Sequence, residues 1–245
     1  MFTFQQFTLH DEHCAMKVGT DGVLLGAWCP AERGAHLLDM GCGCGVVSLM
    51  MAQRAPQAQV TGVEIDPHAA ADAAANVAAS PWPDRVHIAC CDVAVLPTPP
   101  GGYDGVAANP PYHEEELLPP DARRATARHT SGGVLTFAAL LHQADRLMAH
   151  REGAWFCVVL PAQAESAFTA LAAAWGLHPC RIAEVVTRTG KPAKRVLMEF
   201  TRTPQPVCRT SLPLSNDKGG RSEAYQTLCK DFYLTEEQKR ALSRA

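Results

Sequence analysis

Asp39-Met40-Gly41-Cys42-Gly43-Cys44-Gly45 follows the apolar pair Leu37-Leu38, and this stretch decides the fold. Three glycines at a strand-to-helix turn let the backbone adopt positive φ and let a ligand approach the main chain closely. Dinucleotide-binding turns have the pattern GxGxxG, whereas the pattern here is GxGxG with an acid two positions before it. A carboxylate there would repel a pyrophosphate but suits a ligand with a positive ammonium group. The turn therefore disfavours an NAD-dependent reductase.

Around this turn, short apolar runs alternate with alanine-rich helical stretches, which is typical of βαβ units and a parallel sheet. The sequence predicts an α/β fold with strands at 37–40, 59–63, 85–89, 104–108, 154–160, 181–188 and 194–201. Helices are predicted at 46–54, 67–79, 134–150 and 163–175. The short polar joint 189–192 predicts an antiparallel hairpin between the last two strands. We expect three regions, at 1–35, 36–203 and 204–245, the last a polar tail that is helical only at 222–233.

Composition limits the class of protein. The 245 residues are 47% hydrophobic and 19% charged, as in a soluble globular domain. A net charge of -3 disfavours a strongly basic, non-specific nucleic-acid binder but allows a local basic patch. We find neither a signal peptide nor an apolar run of the roughly 20 residues that a membrane span needs, so we expect a cytoplasmic protein. Ten scattered cysteines without paired CxxC motifs predict free thiols and no metal site.

Two acids follow the next predicted strands. Glu64 lies 23 positions after the first glycine, near the ~20 expected of an acid that binds a ribose diol. Asp92 follows the third strand, where its carboxylate can accept from an adenine amino group while Val93 packs on the ring. Asp66 more readily caps the next helix. Because the carboxyl ends of parallel strands meet in one crevice, these acids and Asp39 together predict S-adenosylmethionine as the ligand.

Asn109-Pro110-Pro111-Tyr112 follows the fourth predicted strand. Asn109 offers a side-chain acceptor, and Pro110 offers a backbone C=O without a competing N–H. Consecutive prolines stiffen the turn, and Tyr112 adds an aromatic face for a flat group. The motif suits a planar nitrogen, although alone it could equally be a turn that ends a strand.

With these features in this order, residues 36–202 resemble class I S-adenosylmethionine-dependent methyltransferases acting on amino or amide nitrogens. The resemblance implies a seven-stranded, mostly parallel Rossmann-like sheet with the last strand antiparallel and helices on both faces. The implied cofactor contacts are Asp39, Gly41, Gly43, Gly45, Glu64, Asp92, Val93 and Asn109. The implied catalytic residues are Asn109, Pro110 and Tyr112.

The chemistry of an adenine amine explains that catalytic set. Its lone pair is delocalised into the ring, which makes the nitrogen a poor nucleophile. Acceptors on both N–H groups, from the Asn109 side chain and the Pro110 carbonyl, would draw it toward tetrahedral geometry. Tyr112 would stack on a base swung out of its helix or loop. Positioning then supplies most of the catalysis.

Residues 16–28 and the start Phe2-Thr3-Phe4-Gln5-Gln6-Phe7 resemble bacterial tRNA1(Val) adenine-N6 methyltransferases. The resemblance implies methylation of the adenine just 3′ of the anticodon, position 37, with tRNA as the partner. It also implies that the N-terminal extension covers the cofactor, with Lys17, Thr20 and Asp21 over the site. The alternative is a helix packed on the sheet edge and capped by Thr20 or Asp21.

Binding to RNA requires local positive charge. One cluster lies after the catalytic turn and comprises Arg123, Arg124, Arg128 and His129, diluted by Glu114, Glu115, Glu116 and Asp121. The other lies at the hairpin and comprises Arg188, Lys191, Lys194 and Arg195. Either could contact phosphates, with Pro111 near the base, and either could be solvated surface. No obligate protein partner is inferred.

Related enzymes are the alternatives. A release-factor glutamine methyltransferase carries a helical domain before the glycine motif, and a small-subunit rRNA guanine methyltransferase carries a duplicated second domain. Both alternatives are disfavoured because the sequence predicts neither domain. A DNA adenine methyltransferase needs more room for target recognition than the loop 113–133 offers. A cofactor-binding module without catalysis is disfavoured because Asn109 and Tyr112 are both present.

Overall fold

The computed structural model describes residues 1–14, 16–111 and 136–242, with side chains up to 240. A ribbon of β1 (Phe2–Thr3) and β2 (Thr8–Leu9) precedes helix α1 (Thr20–Trp28). The main sheet contains β3 His36–Met40, β4 Gln59–Glu64, β5 Val86–Cys90, β6 Gly105–Ala108, β7 Trp155–Pro161, β8 His178–Val186, β9 Ala193–Thr201 and β10 Cys208–Pro213. The remaining described helices are α2 Val46–Arg54, α3 Pro67–Ala78, α4 Phe137–Leu147, α5 Glu165–Ala173, α6 Glu223–Cys229 and α7 Glu236–Leu242.

The sheet is mixed and has the strand order β10-β8-β9-β7-β6-β3-β4-β5. β9 is antiparallel to both of its neighbours, and every other pair in this sheet is parallel. The predicted hairpin and the antiparallel last strand of the predicted seven are therefore confirmed. Parallel strands share one carboxyl edge, so the ends of β3, β4, β5, β6, β7 and β8 lie along the same side of the sheet.

An eighth strand extends the seven that the sequence predicts. β10 pairs in parallel with β8, in the segment expected to be a polar tail with a helix only at 222–233. It escapes sequence analysis because it is an edge strand: its first four side chains are exposed, and only Leu212 is buried. An exposed edge strand carries little of the apolar pattern by which strands are recognised.

Apolar layers cover both faces of the sheet. Consecutive residues of β3 point to opposite faces, so Leu37 packs on the side of α1 and α2 while Leu38 packs on the side of α4. Both are fully buried, which explains why the strand reads as a continuous apolar run rather than an alternating one. Helices on both faces are thus confirmed.

The N-terminal ribbon packs against the C-terminal segment. The ring of Phe4 stacks on Phe7 at 4.7 Å and on Tyr233 at 6.1 Å. The Gln5 backbone N–H donates to the Phe232 carbonyl at 2.8 Å, and its side-chain amide donates to the carbonyls of Lys230 and Tyr233. The segment between the last two helices is therefore joined to the first residues of the chain.

Two further observations concern the class of protein. All ten cysteines are free thiols, as the sequence predicts. Within the described residues, no helix has the length and apolarity that crossing a bilayer requires.

Close packing at Gly105 gives the first prediction. Gly105 pairs with Trp155 across β6 and β7, and a Cβ at Gly105 would lie 2.0 and 2.2 Å from two carbons of that indole. Gly105→Ala should therefore lower the free energy of unfolding by about 3 kcal/mol or more, because the buried Trp155 must move. Urea denaturation measures the loss. The control is Gly19→Ala, where the added methyl meets only an ordinary contact at 3.6 Å and should cost about 1 kcal/mol or less. Equal stability of Gly105→Ala and the wild type would contradict the packing argument.

Candidate active site

The glycine turn joins β3 to α2 with three left-handed residues. Gly41, Gly43 and Gly45 have φ of 71°, 54° and 86°, a region that favours glycine. A Cβ at Gly41 or Gly43 would meet no atom within 4 Å, because both residues face an open cavity. A Cβ at Gly45 would make only an ordinary contact with that of Ala73 at 3.6 Å, so glycine is required there by its positive φ rather than by space. Only the first two glycines line the cavity.

Glu64 ties the end of β4 to this turn. One carboxylate oxygen accepts from the Gly43 N–H at 2.9 Å, and the other accepts from the Asp66 N–H at 3.0 Å. Asp66 in turn caps α3 by accepting from the His68 N–H, as predicted. The Glu64 carboxylate is thus held at the cavity wall, and its remaining lone pairs can accept from a diol.

The cavity has a volume of about 480 Å³, within the range of small-molecule sites. It lies at the carboxyl edge, over the ends of β3, β4, β5 and β6. Its walls comprise Cys14, Met16, Met40, Gly41, Gly43, Val63, Glu64, Ile65, Asp66, Ala69, Cys91, Asp92, Val93, Ala94, Asn109, Pro110, Pro111, Ala139 and Gln143. The structure thus brings together the predicted residues Gly41, Gly43, Glu64, Asp92, Val93, Asn109, Pro110 and Pro111.

Asp92 and Val93 form one end of the cavity. Asp92 begins a short 3-10 turn, Val93–Val95, and accepts from the Ala94 N–H at 2.8 Å. The carboxylate is otherwise exposed, while Val93 is buried with its side chain at the wall. A carboxylate beside an apolar surface fits an aromatic ring that carries an amino group.

Asp39 does not line the cavity. Its side chain is 1% exposed, faces α2 and accepts from the Ser48 hydroxyl at 2.7 Å. Burial raises the pKa of this carboxyl to about 7, against the opposing effect of the Ser48 hydrogen bonds. Asp39 thus lies behind the cavity wall, where its side chain fastens β3 to the first turn of α2.

The N-terminal segment contributes different residues from those expected. The Lys17 ammonium donates to the carbonyls of Asp11 and Glu12, and neither Lys17 nor Thr20 lines the cavity. Cys14 and Met16 line it instead. Thr20 begins α1 without capping it, because the N-cap position is occupied by Gly19 and no side chain bonds there.

Asn109, Pro110 and Pro111 follow β6 directly and form the wall at its end. Pro110 is buried, Asn109 is partly buried and Pro111 is exposed. α1 approaches closely here, since a Cβ at Gly22 would lie 3.7 Å from the Asn109 amide nitrogen. Tyr112 lies outside the described residues, as do Arg123, Arg124, Arg128 and His129.

The hairpin residues lie at the carboxyl edge but away from the cavity walls. Arg188, Lys191 and Lys194 are exposed. Arg195 is partly buried, and its guanidinium Nε donates to the Asp21 carboxylate at 2.9 Å. This ion pair joins the start of β9 to the first turn of α1.

Gln143 and Ile65 line the cavity and were missed by sequence analysis. Gln143 is 7% exposed and accepts from the Arg146 Nε at 2.7 Å, which directs its carbonyl toward Arg146. Arg146 also donates to the carbonyls of Val93 and Leu96, so α4 is fixed to the Asp92 end of the cavity. The signal was available: Gln143 is a polar residue on the otherwise apolar buried stripe of α4.

Several known proteins are similar to this chain in sequence or in fold. Residues 10–151 match the family model described as "Methyltransferase small domain". A tRNA1(Val) (adenine(37)-N6)-methyltransferase of Bacteroides fragilis is 41% identical over 95% of this chain and 97% of its own length. An enzyme of the same name from Yersinia pestis is 42% identical over 95% of this chain and 93% of its own. The crystal structure of a predicted O-methyltransferase from Agrobacterium tumefaciens has a TM-score of 0.66, with 18% identity, 86% of this chain and 96% of that chain covered, and shares the fold.

The buried Asp39 predicts a dependence of stability on pH. Its folded pKa of about 7 lies above the ordinary aspartate pKa of 3.8, so the unfolded chain releases this proton first as pH rises. The stability that the raised pKa of Asp39 contributes is thus fully present below about pH 4 and is lost as pH rises through about 7. Asp39→Asn, which retains an acceptor for Ser48, should therefore gain stability relative to the wild type between pH 5 and pH 8, by an amount on the order of a few kcal/mol. Urea denaturation at both pH values measures this difference, and a difference independent of pH would contradict the ionisation.

Proposed function

This chain belongs to the methyltransferase small domain family and to the family of tRNA1(Val) (adenine(37)-N6)-methyltransferases, and we propose that it methylates N6 of an adenine in tRNA with S-adenosylmethionine as the donor. One observation carries the proposal: Asn109 and Pro110 line the same cavity as the glycine turn and Glu64. The relatives' name supports position 37 of tRNA1(Val) as the target. Such a substrate would place the protein in the cytoplasm.

The cavity suits S-adenosylmethionine at each end. Glu64, fixed by two backbone N–H groups, would accept from the ribose hydroxyls, and the open backbone at Gly41 and Gly43 leaves room for the aminoacyl tail. Asp92 would accept from the adenine amine while Val93 packs on the ring. When bound, S-adenosylmethionine supplies an electrophilic methyl group on a sulfonium. Asp39 supports this arrangement from behind, by holding α2 against β3 through Ser48.

Asn109 and Pro110 would prepare the target nitrogen. The Asn109 side-chain oxygen and the Pro110 carbonyl would accept hydrogen bonds from the two N–H groups of this nitrogen. These bonds would reduce delocalisation of its lone pair into the ring and direct the lone pair into the cavity. β6, buried on both sides, gives these acceptors a rigid support. The extra proton can leave to water after transfer, so the reaction needs no strong general base. Tyr112 would stack on the flipped adenine, and Pro111 would border it.

A methylation assay tests the function. The protein is incubated with labelled S-adenosylmethionine and with separate pools of tRNA, rRNA, DNA and protein from a strain that lacks the gene. Label should appear in tRNA and be recovered as N6-methyladenosine. Asn109→Ala should lower kcat by about 100-fold or more with little change in cofactor affinity, because one acceptor is lost at the reacting atom. Asn109→Asp keeps an acceptor and should retain more activity than Asn109→Ala. Label confined to rRNA or to protein glutamine would establish one of the alternative enzymes, and absence of label in every pool would support a binding module.

The cofactor contacts are tested separately by calorimetry. Glu64→Ala should weaken S-adenosylmethionine binding about 10- to 100-fold, because it removes charge-assisted hydrogen bonds and releases the Gly43 N–H. Glu152→Ala, an exposed carboxylate between α4 and β7 at the opposite edge, is the matched control and should leave the Kd unchanged. Unaltered affinity of the Glu64 variant would remove this residue from the site, and a wild type without affinity would remove the cofactor.

A further inference from the structure

The loop after β10 lies directly beside the hairpin that joins β8 to β9. The backbone N–H groups of Leu214 and Ser215 donate to the carbonyls of Val186 and Thr187, at 2.9 and 3.0 Å. The parallel pairing of β10 with β8 therefore continues past the last strand residue into both loops. Residues 187–195 and 214–222 form one continuous surface, here called the basic edge.

The loop 214–222 is held in shape by Asn216. Its side-chain oxygen accepts from the N–H groups of Lys218 and Gly220, each at 3.0 Å, and its amide donates to the Arg221 carbonyl at 3.2 Å. The guanidinium of Arg221 lies over the ring of Tyr233, 4.0 Å from its centroid. A loop fixed in this way loses little further backbone freedom when its side chains bind a ligand.

The charge of the basic edge is opposite to that of the whole chain. It carries six basic residues and one acid, Asp217, in a protein whose net charge is -3. Its basic residues are Arg188, Lys191, Lys194, Arg195, Lys218 and Arg221. All of them except Arg195 are exposed, and within the described residues these five form no ion pair. So concentrated a charge on an acidic protein fits a polyanion.

The basic edge also lies at a useful distance from the acceptors of the target nitrogen. β8 is three strands and β10 four strands from β6, whose end bears Asn109. At about 4.8 Å per strand, the two loops begin about 14 and 19 Å away along the carboxyl edge. The Arg195–Asp21 ion pair fixes the hairpin to α1, and the next residue of α1, Gly22, lies against Asn109. The ion pair and the close approach of α1 to Asn109 therefore set the position of the basic edge relative to the acceptors.

We propose that the basic edge binds the sugar-phosphate backbone of the tRNA a few nucleotides from the target adenine, and that β10 brings the second half of this surface, Lys218 and Arg221, to the site. The inference rests on the proposed function, since it assigns a surface to the substrate of that reaction. The guanidinium of Arg221 stacks on Tyr233 and still presents N–H groups to solvent, an arrangement suited to phosphate.

Lys218→Gln, Lys191→Gln and the double variant test the surface, because both side chains are exposed and their loss should not affect folding. The KM for tRNA should rise about fivefold for each single variant at 0.1 M salt. The slope of log KM against log salt should fall by about 1 for each lysine removed. Neither kcat at saturating tRNA nor the Kd for S-adenosylmethionine should change.

Lys230→Gln is the matched control. Lys230 is also exposed, but it follows α6, where the carbonyl of the next residue accepts from Gln53 at the end of α2 that is remote from the glycine turn. The proposal is overturned if Lys218→Gln has the KM and salt slope of the wild type, or if these values shift no more than they do in Lys230→Gln. A wild type that binds cofactor yet methylates no tRNA would instead overturn the proposed function, so the two failures are distinguishable.

Discussion

The Glu64 carboxylate holds two turns in one geometry, and the cavity depends on it. By accepting from the N–H groups of Gly43 and Asp66, it joins the glycine turn to the connection between β4 and α3. Without this carboxylate, the N–H groups of both turns would have no fixed direction. One side chain therefore shapes two parts of the cavity wall.

The sheet topology explains why the basic loops and Asn109 lie along one edge. An antiparallel β9 inserted between β7 and β8 leaves β8 parallel to the central strands. The loop after β8 consequently returns to the same side as Asn109, and the loop after β10 joins it. A simple hairpin at the sheet margin, with β8 antiparallel to the centre, would have sent those charges to the opposite edge.

Local patterns made most of the fold and the cavity predictable. The strand before the glycine turn, Glu64 at the end of β4 and Asn109 after β6 all follow from apolar runs and from residues directly beside them. Features that depend on distant contacts were not predictable. The direction of Asp39 is set by Ser48 on the facing helix, and that of Arg195 by Asp21 in another region. β10 is placed by backbone pairing with β8 and by the ion pairs of Arg209 with Glu165 and Glu184.

The contact between the first and last residues has a consequence during synthesis. Gln5 and Phe4 dock on Phe232 and Tyr233, which leave the ribosome after nearly all of the sheet has been made. The segment that follows the ribbon carries Cys14 and Met16 to the wall of the cavity. A nascent chain can thus form its glycine turn and the turn after β6 before residues 232 and 233 have been made. The N-terminal part of the cavity wall gains its contact with Phe232 and Tyr233 only after those residues leave the ribosome.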